Sequence, residues 1–135
     1  GKNAQYVFDI VEWETDINKA GAKEANEKYK TKYGQNLTGE AVDAYLAMYV
    51  LADALERAGS LDREKIRIAL SETRYTDGKG MIVGYDAVEF DQSGQNKYAS
   101  PVMVQINDIG NGMERITVWP KNARRSGYEP VFPMP

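Results

Sequence analysis

Thr38-Gly39-Glu40-Ala41-Val42-Asp43-Ala44-Tyr45-Leu46-Ala47-Met48-Tyr49-Val50-Leu51-Ala52-Asp53-Ala54-Leu55-Glu56-Arg57-Ala58-Gly59 is the stretch on which the fold turns. Thr38 is a side-chain cap for the first free amides, and Glu40 puts negative charge in the first turn, where the helix dipole favours it. Arg57 stands in the last turn, and Gly59 offers a left-handed exit. Between the caps, Ala44 to Ala52 carries no charge, so the pattern predicts a helix over 39–58 with several faces against protein rather than one apolar stripe and a polar back. A membrane span needs roughly 20 apolar residues, and Asp43 and Asp53 bound a much shorter run.

Upstream, Tyr6 to Val11 is rich in β-branched and aromatic residues and predicts a largely buried strand. A polar loop with one large aromatic follows, Glu12-Trp13-Glu14-Thr15-Asp16. Ile17 to Tyr33 then has helical spacing, with Ala22, Ala25, Tyr29 and Tyr33 on one side and Glu24 four residues before Lys28 on the other. Thr15 or Asp16 is placed to cap this helix, and Gly34 to end it.

Downstream, Ser60 is placed to cap a third helix with Asp62 and Glu64 in its first turns and Ile66, Ala69 and Leu70 inward, ending near Glu72 or Thr73. Thr73 to Gly80 reads as a loop with a turn at Asp77-Gly78. The period then becomes that of β structure. Met81 to Val83 is a short extended piece, Val88 and Phe90 share a face, and Asp91 to Asn96 is a polar turn. Val102 to Ile106 and Met113 to Trp119 flank Asp108-Ile109-Gly110-Asn111-Gly112, a hairpin signal. All five prolines lie at 101 and beyond, and Pro120 to Pro135 reads as an extended tail that wraps the surface or frays.

The totals narrow the function classes. At 135 residues the chain has the length of one domain. Its 17 basic and 20 acidic residues give a net charge of -3, and an isoelectric point of about 5.1 argues against a nucleic-acid partner. With no cysteine there is no thiol nucleophile or thiolate metal site, and with no histidine the commonest general base and metal ligand are missing. No catalytic residue, metal or cofactor is therefore expected. The opening Gly1-Lys2-Asn3-Ala4 runs straight into a strand pattern, as the middle of a longer protein would. One strand and one hairpin also give a thin sheet for three helices.

These residues, in order, carry a resemblance. Tyr29-Lys30-Thr31-Lys32-Tyr33-Gly34, Ala41 to Ala47, Leu51 to Ser60, Glu64 to Leu70, Met81, Tyr85, Val88-Glu89-Phe90-Asp91, Gly94-Gln95-Asn96 and Val104-Gln105-Ile106 together resemble the C-terminal third of the extracytoplasmic solute-binding proteins of branched-chain amino acid ABC transporters. This is the leucine/isoleucine/valine-binding family of type I periplasmic binding proteins. The resemblance implies an α/β fold of two lobes, each a three-layer αβα stack around a mostly parallel sheet, with three crossings between lobes and a ligand trapped in the cleft. Here it implies the last parallel strand of lobe two and a crossover in 1–16, helices and strands mainly of lobe one in 17–100, a hairpin returning to lobe two in 101–119, and a tail in 120–135. The helices at 39–58 and 61–72 then belong to lobe one, and the central helix finds its missing cover in the N-terminal two-thirds of the same protein. An isolated 1–135 chain is accordingly expected to self-associate. The implied partners are an amino acid or similar small carboxylated solute and an ABC permease, the implied location is the periplasm or another extracytoplasmic space, and a signal peptide would lie upstream.

Ligands of open α/β sheets sit beyond the carboxyl ends of strands, and helix N-termini hold anionic groups. Two places qualify. Past the first strand, Trp13 either walls off a ligand or packs at the core or hinge, and Glu14 stands beside it. At the start of the central helix, Glu40 either meets a ligand ammonium or only serves the dipole, with Ala41 next to it. Asp43 and Tyr45 read as structural. Glu12 and Glu14, two apart, point to opposite faces if extended, which weakens a reading as an acid–base pair in a small hydrolase. A ligand-sensing module of the same fold in a receptor or regulator is the alternative to transport. Arg124-Arg125 reads as a solvated pair.

Overall fold

The computed structural model describes residues 2–133. In chain order the elements are strand β1 (Phe8–Val11), helices α1 (Ala22–Tyr33), α2 (Gly39–Ala58) and α3 (Arg63–Ser71), short strands β2 (Arg74–Tyr75) and β3 (Val88–Glu89), and the long strands β4 (Val102–Asp108) and β5 (Met113–Trp119). A 3-10 turn, Lys2–Ala4, precedes β1. The fold is mixed α/β.

Helix α2 has the bounds its caps predict. The Thr38 hydroxyl accepts from the Ala41 amide at 3.3 Å, and Gly59, at φ 54°, turns its amide back onto the Leu55 and Glu56 carbonyls. Arg57 pairs with Asp53 at 2.8 Å and reaches the Ala69 carbonyl and the Thr73 hydroxyl, joining α2 to the end of α3. Burial is narrower than expected. Val42, Leu46, Val50 and Ala54, spaced by four, form one buried stripe. Met48 stays 65% exposed, and Leu51 is exposed as well. The apolar back of α2 is therefore open among the described residues.

Helix α1 starts later than the sequence predicts, at Ala22, and neither Thr15 nor Asp16 caps it. Gly21 occupies the cap position without a side chain. The reason is competition. Asp16 gives its carboxylate to the Thr117 amide and hydroxyl, the latter at 2.6 Å, and the Asn18 amide bonds the Ala123 carbonyl. These ties draw 16–18 toward β5 and the loop after it, so the helix cannot begin there. Gly34 ends α1 as expected, and Glu24 pairs with Lys28 at 2.7 Å. Ala22 is buried and Tyr29 packs on the core, whereas Tyr33 is exposed. Helix α3 is capped by Asp62, not Ser60. Asp62 accepts from the Glu64 and Lys65 amides, and the Ser60 hydroxyl accepts from Asp62. Only Ala69 of its inward face is fully buried.

The segment read as a loop from Thr73 to Gly80 contains β2, which pairs antiparallel with β3 through Arg74↔Glu89 and Tyr75↔Val88. Ile82 and Val83 are buried without being part of a strand.

The larger sheet has the order β1-β4-β5. Every strand pair among the described residues is antiparallel. Strand β1 pairs with β4 from Phe8↔Gln105 to Val11↔Val102, but it is an edge strand, with Asp9 and Ile10 exposed rather than largely buried. The hairpin forms as predicted, and Asp108 accepts from the Gly110 and Gly112 amides inside its turn. Of the two outcomes open to the tail, it wraps. Gln105, fully buried, donates to the carbonyls of Tyr6 and Val131 and accepts from the Tyr128 hydroxyl and the Val131 amide. Met134 and Pro135 lie outside the described residues. Arg124 and Arg125 are not a simple solvated pair: Arg124 makes a two-pronged contact with Glu129 and Arg125 binds Glu114 at 3.2 Å.

Candidate ligand cleft

The two segments singled out in the sequence meet. The loop after β1 and the N-terminus of α2 border one cleft of about 450 Å3, lined by Glu12, Trp13, Glu14, Thr38, Gly39, Glu40 and Arg115 together with Ile10, Val11 and Leu37. What brings them together is an unusually close backbone approach. A Cβ on Gly39 would collide with the Glu12 side chain, so glycine at the first position of α2 is required by packing against the loop. The opposite-face arrangement of Glu12 and Glu14 assumed an extended loop. In the folded chain both border the cleft, and they have different neighbours.

Trp13 is 6% exposed, and its indole N–H donates to the Ile82 carbonyl at 2.7 Å. Its polar atom is therefore occupied and its ring is part of the core at the join between sheet and helices. Glu14 accepts from the Thr15 amide and hydroxyl through one oxygen and pairs with Arg115 at 3.2 Å through the other. Glu40 is exposed. The Thr38 hydroxyl and the residue's own amide hold its carboxyl below the usual range, so it is ionised at neutral pH. Ala41 packs against the core and does not line the cleft; its amide serves the Thr38 cap.

Arg115, arriving from β5, is the member that sequence reasoning missed. Nothing local marks it: it is one polar position on an alternating strand, and only the pairing of β5 with β4 carries it across to Glu14. The cleft thus offers both signs of charge. Three carboxylates, from Glu12, Glu14 and Glu40, stand beside one guanidinium and the positive end of a 20-residue helix. Such a lining suits a small ligand carrying both an ammonium and an anionic group.

Asp43, one turn further along α2, has its carboxyl pushed up by burial and by the charge of Glu40, and the Tyr45 hydroxyl is pushed up to about 12 by burial and its contact with Tyr49 at 3.3 Å. Neither lines this cleft. Among the described residues, no cluster of three or more Asp and Glu side chains is arranged to hold a metal ion, and no helix is long and apolar enough to cross a membrane.

Antiparallel strands meet a helical layer through a loop anchored by the buried Trp13 and Ile17, with a polar cleft at the join, in a mixed α/β fold. Residues 1–103 match the family model of the periplasmic binding protein, and the chain belongs to that family. Its fold is also that of solved relatives. A leucine binding protein, LivK, from Thermotoga maritima matches with a TM-score of 0.60 and 28% sequence identity over 85% of this chain and 31% of that one. A periplasmic binding protein of type 1 from Bordetella pertussis matches with a TM-score of 0.58 and 14% identity over 87% of this chain and 34% of that one. The chain therefore spans about a third of the length of these two structures. Proteins of this family are solute-binding proteins, typically extracytoplasmic and typically without enzymatic activity.

Proposed function

We propose that this chain is the C-terminal part of an extracytoplasmic solute-binding protein that captures an amino acid or a related small carboxylated solute for ABC-type import. The observation that carries the reading is the convergence of Glu12, Glu14, Glu40 and Arg115 with the N-terminus of α2 around one cleft. An ammonium group finds carboxylates there, and an anionic group finds a guanidinium and a helix N-terminus. The leucine-binding relative supports the choice of an amino acid as ligand. On this reading residues 1–16 and 101–119 belong to one lobe and most of 17–100 to the other. Glu40 and Glu14 contact the ligand, and Trp13 forms the floor behind them, with Ala41 positioning the helix start. The remaining contacts come from the rest of the protein, a permease receives the loaded form, and a signal peptide directs export.

Calorimetric titration of the protein as its gene encodes it, with L-leucine, L-isoleucine, L-valine and L-glutamate, tests this reading. Saturable binding of at least one is expected, weakened about tenfold or more by Glu40→Gln, the loss of one charge-assisted hydrogen bond. Absence of binding by all four would overturn it.

A further inference from the structure

The three-stranded sheet and the helices are two units joined through one buried cluster, which runs from Val42, Leu46 and Val50 through Trp13, Ile82 and Val83 to Val102 and Val104. Their closest-packed pairs of elements lie within each unit, β4 with β5, β1 with β4 and α2 with α3. Two stretches of chain cross between them, 12–21 from β1 to α1 and 90–101 from β3 to β4, and the loop at 120–123 after β5 leans back toward the helices. Segment 82–86 lies among these. The Trp13 indole bonds the Ile82 carbonyl on one side, Gly84 leaves no room for a Cβ beside Val102, and the Asn18 amide bonds the Ala123 carbonyl close by.

At the end of that segment, Asp86 gathers side chains from two other stretches. It accepts from the Lys19 ammonium at 2.6 Å and from the Asn122 amide group through both oxygens, at 2.8 and 2.6 Å. Lys19 also reaches the Tyr85 carbonyl, at 3.5 Å. Lys19 is 13% exposed along its side chain, whereas Asp86 is 70% exposed. The Lys19 side chain is thus the more enclosed partner and the Asp86 carboxylate the more open one. Its three hydrogen bonds go to Lys19, on the stretch from β1 to α1, and to Asn122, on the loop after β5.

We propose that Asp86 is a clasp that locks the join between the sheet and the helices in the arrangement seen here. That arrangement is the one in which Glu12, Glu14 and Arg115 on the sheet side face Thr38 to Glu40 on the helix side. Holding the join therefore holds the cleft assembled, and releasing it shifts the protein toward arrangements in which the two linings separate. Asp86 is a positioning residue, acting through Lys19 and Asn122 without lining the cleft. The effect on ligand rests on the binding function proposed above. The mechanical effect does not.

The test separates the two. Asp86→Ala leaves the largely enclosed Lys19 side chain without its carboxylate and risks the fold, so the deciding variant is Asn122→Ala, which removes an exposed partner and leaves the ion pair intact, with Lys121→Ala as control. The chain contains no cysteine, so spin labels placed through Lys65→Cys on α3 and Asn111→Cys at the hairpin tip report the distance between the units by pulsed electron resonance. Asn122→Ala is expected to broaden or displace the distance distribution of the protein as its gene encodes it, and the control is expected to leave it alone. An unchanged distribution overturns the clasp whether or not any amino acid binds. For an amino acid that binds the unaltered protein, the same variant is expected to weaken binding about three- to tenfold, the size of one ordinary net hydrogen bond, since this contact is open to solvent. A displaced distribution with unchanged affinity overturns the link between clasp and cleft.

Discussion

The tail-bearing face of the sheet and the outer face of α2 are covered in opposite ways. On the sheet, the chain closes over itself. The stretch from Arg124 to Val131 lies across β4, held by Gln105, whose amide is used on both its oxygen and its nitrogen, and by Tyr128, which also accepts from the buried Asn107. On α2, Met48 and Leu51 face outward beside an apolar groove of about 410 Å3 floored by Leu46, Val50, Leu70 and Val88. Backbone and amide groups saturate one another donor to acceptor, so a polar clamp is complete in itself. An apolar face is satisfied only by other apolar surface, whichever segment or molecule supplies it. The difference separates what this stretch of chain stabilises alone from what it leaves to another surface.

The comparison can be broken first at the clamp. Gln105→Leu keeps the volume but leaves the carbonyls of Tyr6 and Val131 without their donor and the Val131 amide and Tyr128 hydroxyl without their acceptor, and is expected to cost about 3 kcal/mol in urea unfolding. A loss below about 1 kcal/mol would show that the tail is held by something other than this amide. Next comes the cap that sets the cleft side of α2. Thr38→Ala removes the acceptor for Ala41 and is expected to cost about 1 kcal/mol, with Thr38→Ser restoring most of it. Equal stability for all three would mean that packing of Gly39 against Glu12, not the hydroxyl, fixes the helix start. The smallest effect on stability is expected on the open face. Met48→Lys with Leu51→Glu is expected to change unfolding free energy by no more than about 0.5 kcal/mol. It is also expected to reduce the self-association of an isolated 1–135 chain in size-exclusion chromatography. A parent chain that elutes as a stable monomer would remove the premise.

Much of the fold was legible where its determinants are local. The α2 bounds, the Gly34 stop of α1 and the hairpin around Asp108–Gly112 follow from caps and turn residues acting within a few positions. The errors share one cause. Asp16 stands where a cap would, but it bonds Thr117, and Ser60 yields the α3 cap to Asp62, whose carboxylate bonds two amides where Ser60 bonds one. Strand β2 looks like loop in the sequence because two residues carry no period, and their pairing with Val88 and Glu89 is a distant event. For the cleft, the loop at Glu12–Glu14 and the start of α2 were legible as separate places.

By itself, then, the sequence determined the three helices, the hairpin, the caps of α2 and, through the order of its motifs, the family. Tertiary structure alone decided that Glu12 packs on Gly39, that Arg115 reaches Glu14, that Trp13 spends its N–H on the core, and that Asp86 gathers Lys19 and Asn122. Helix and turn signals act over a few residues and so leave a local trace. A cleft is made where distant segments are forced together by burial, and no spacing along the chain records which side chains will then be within reach.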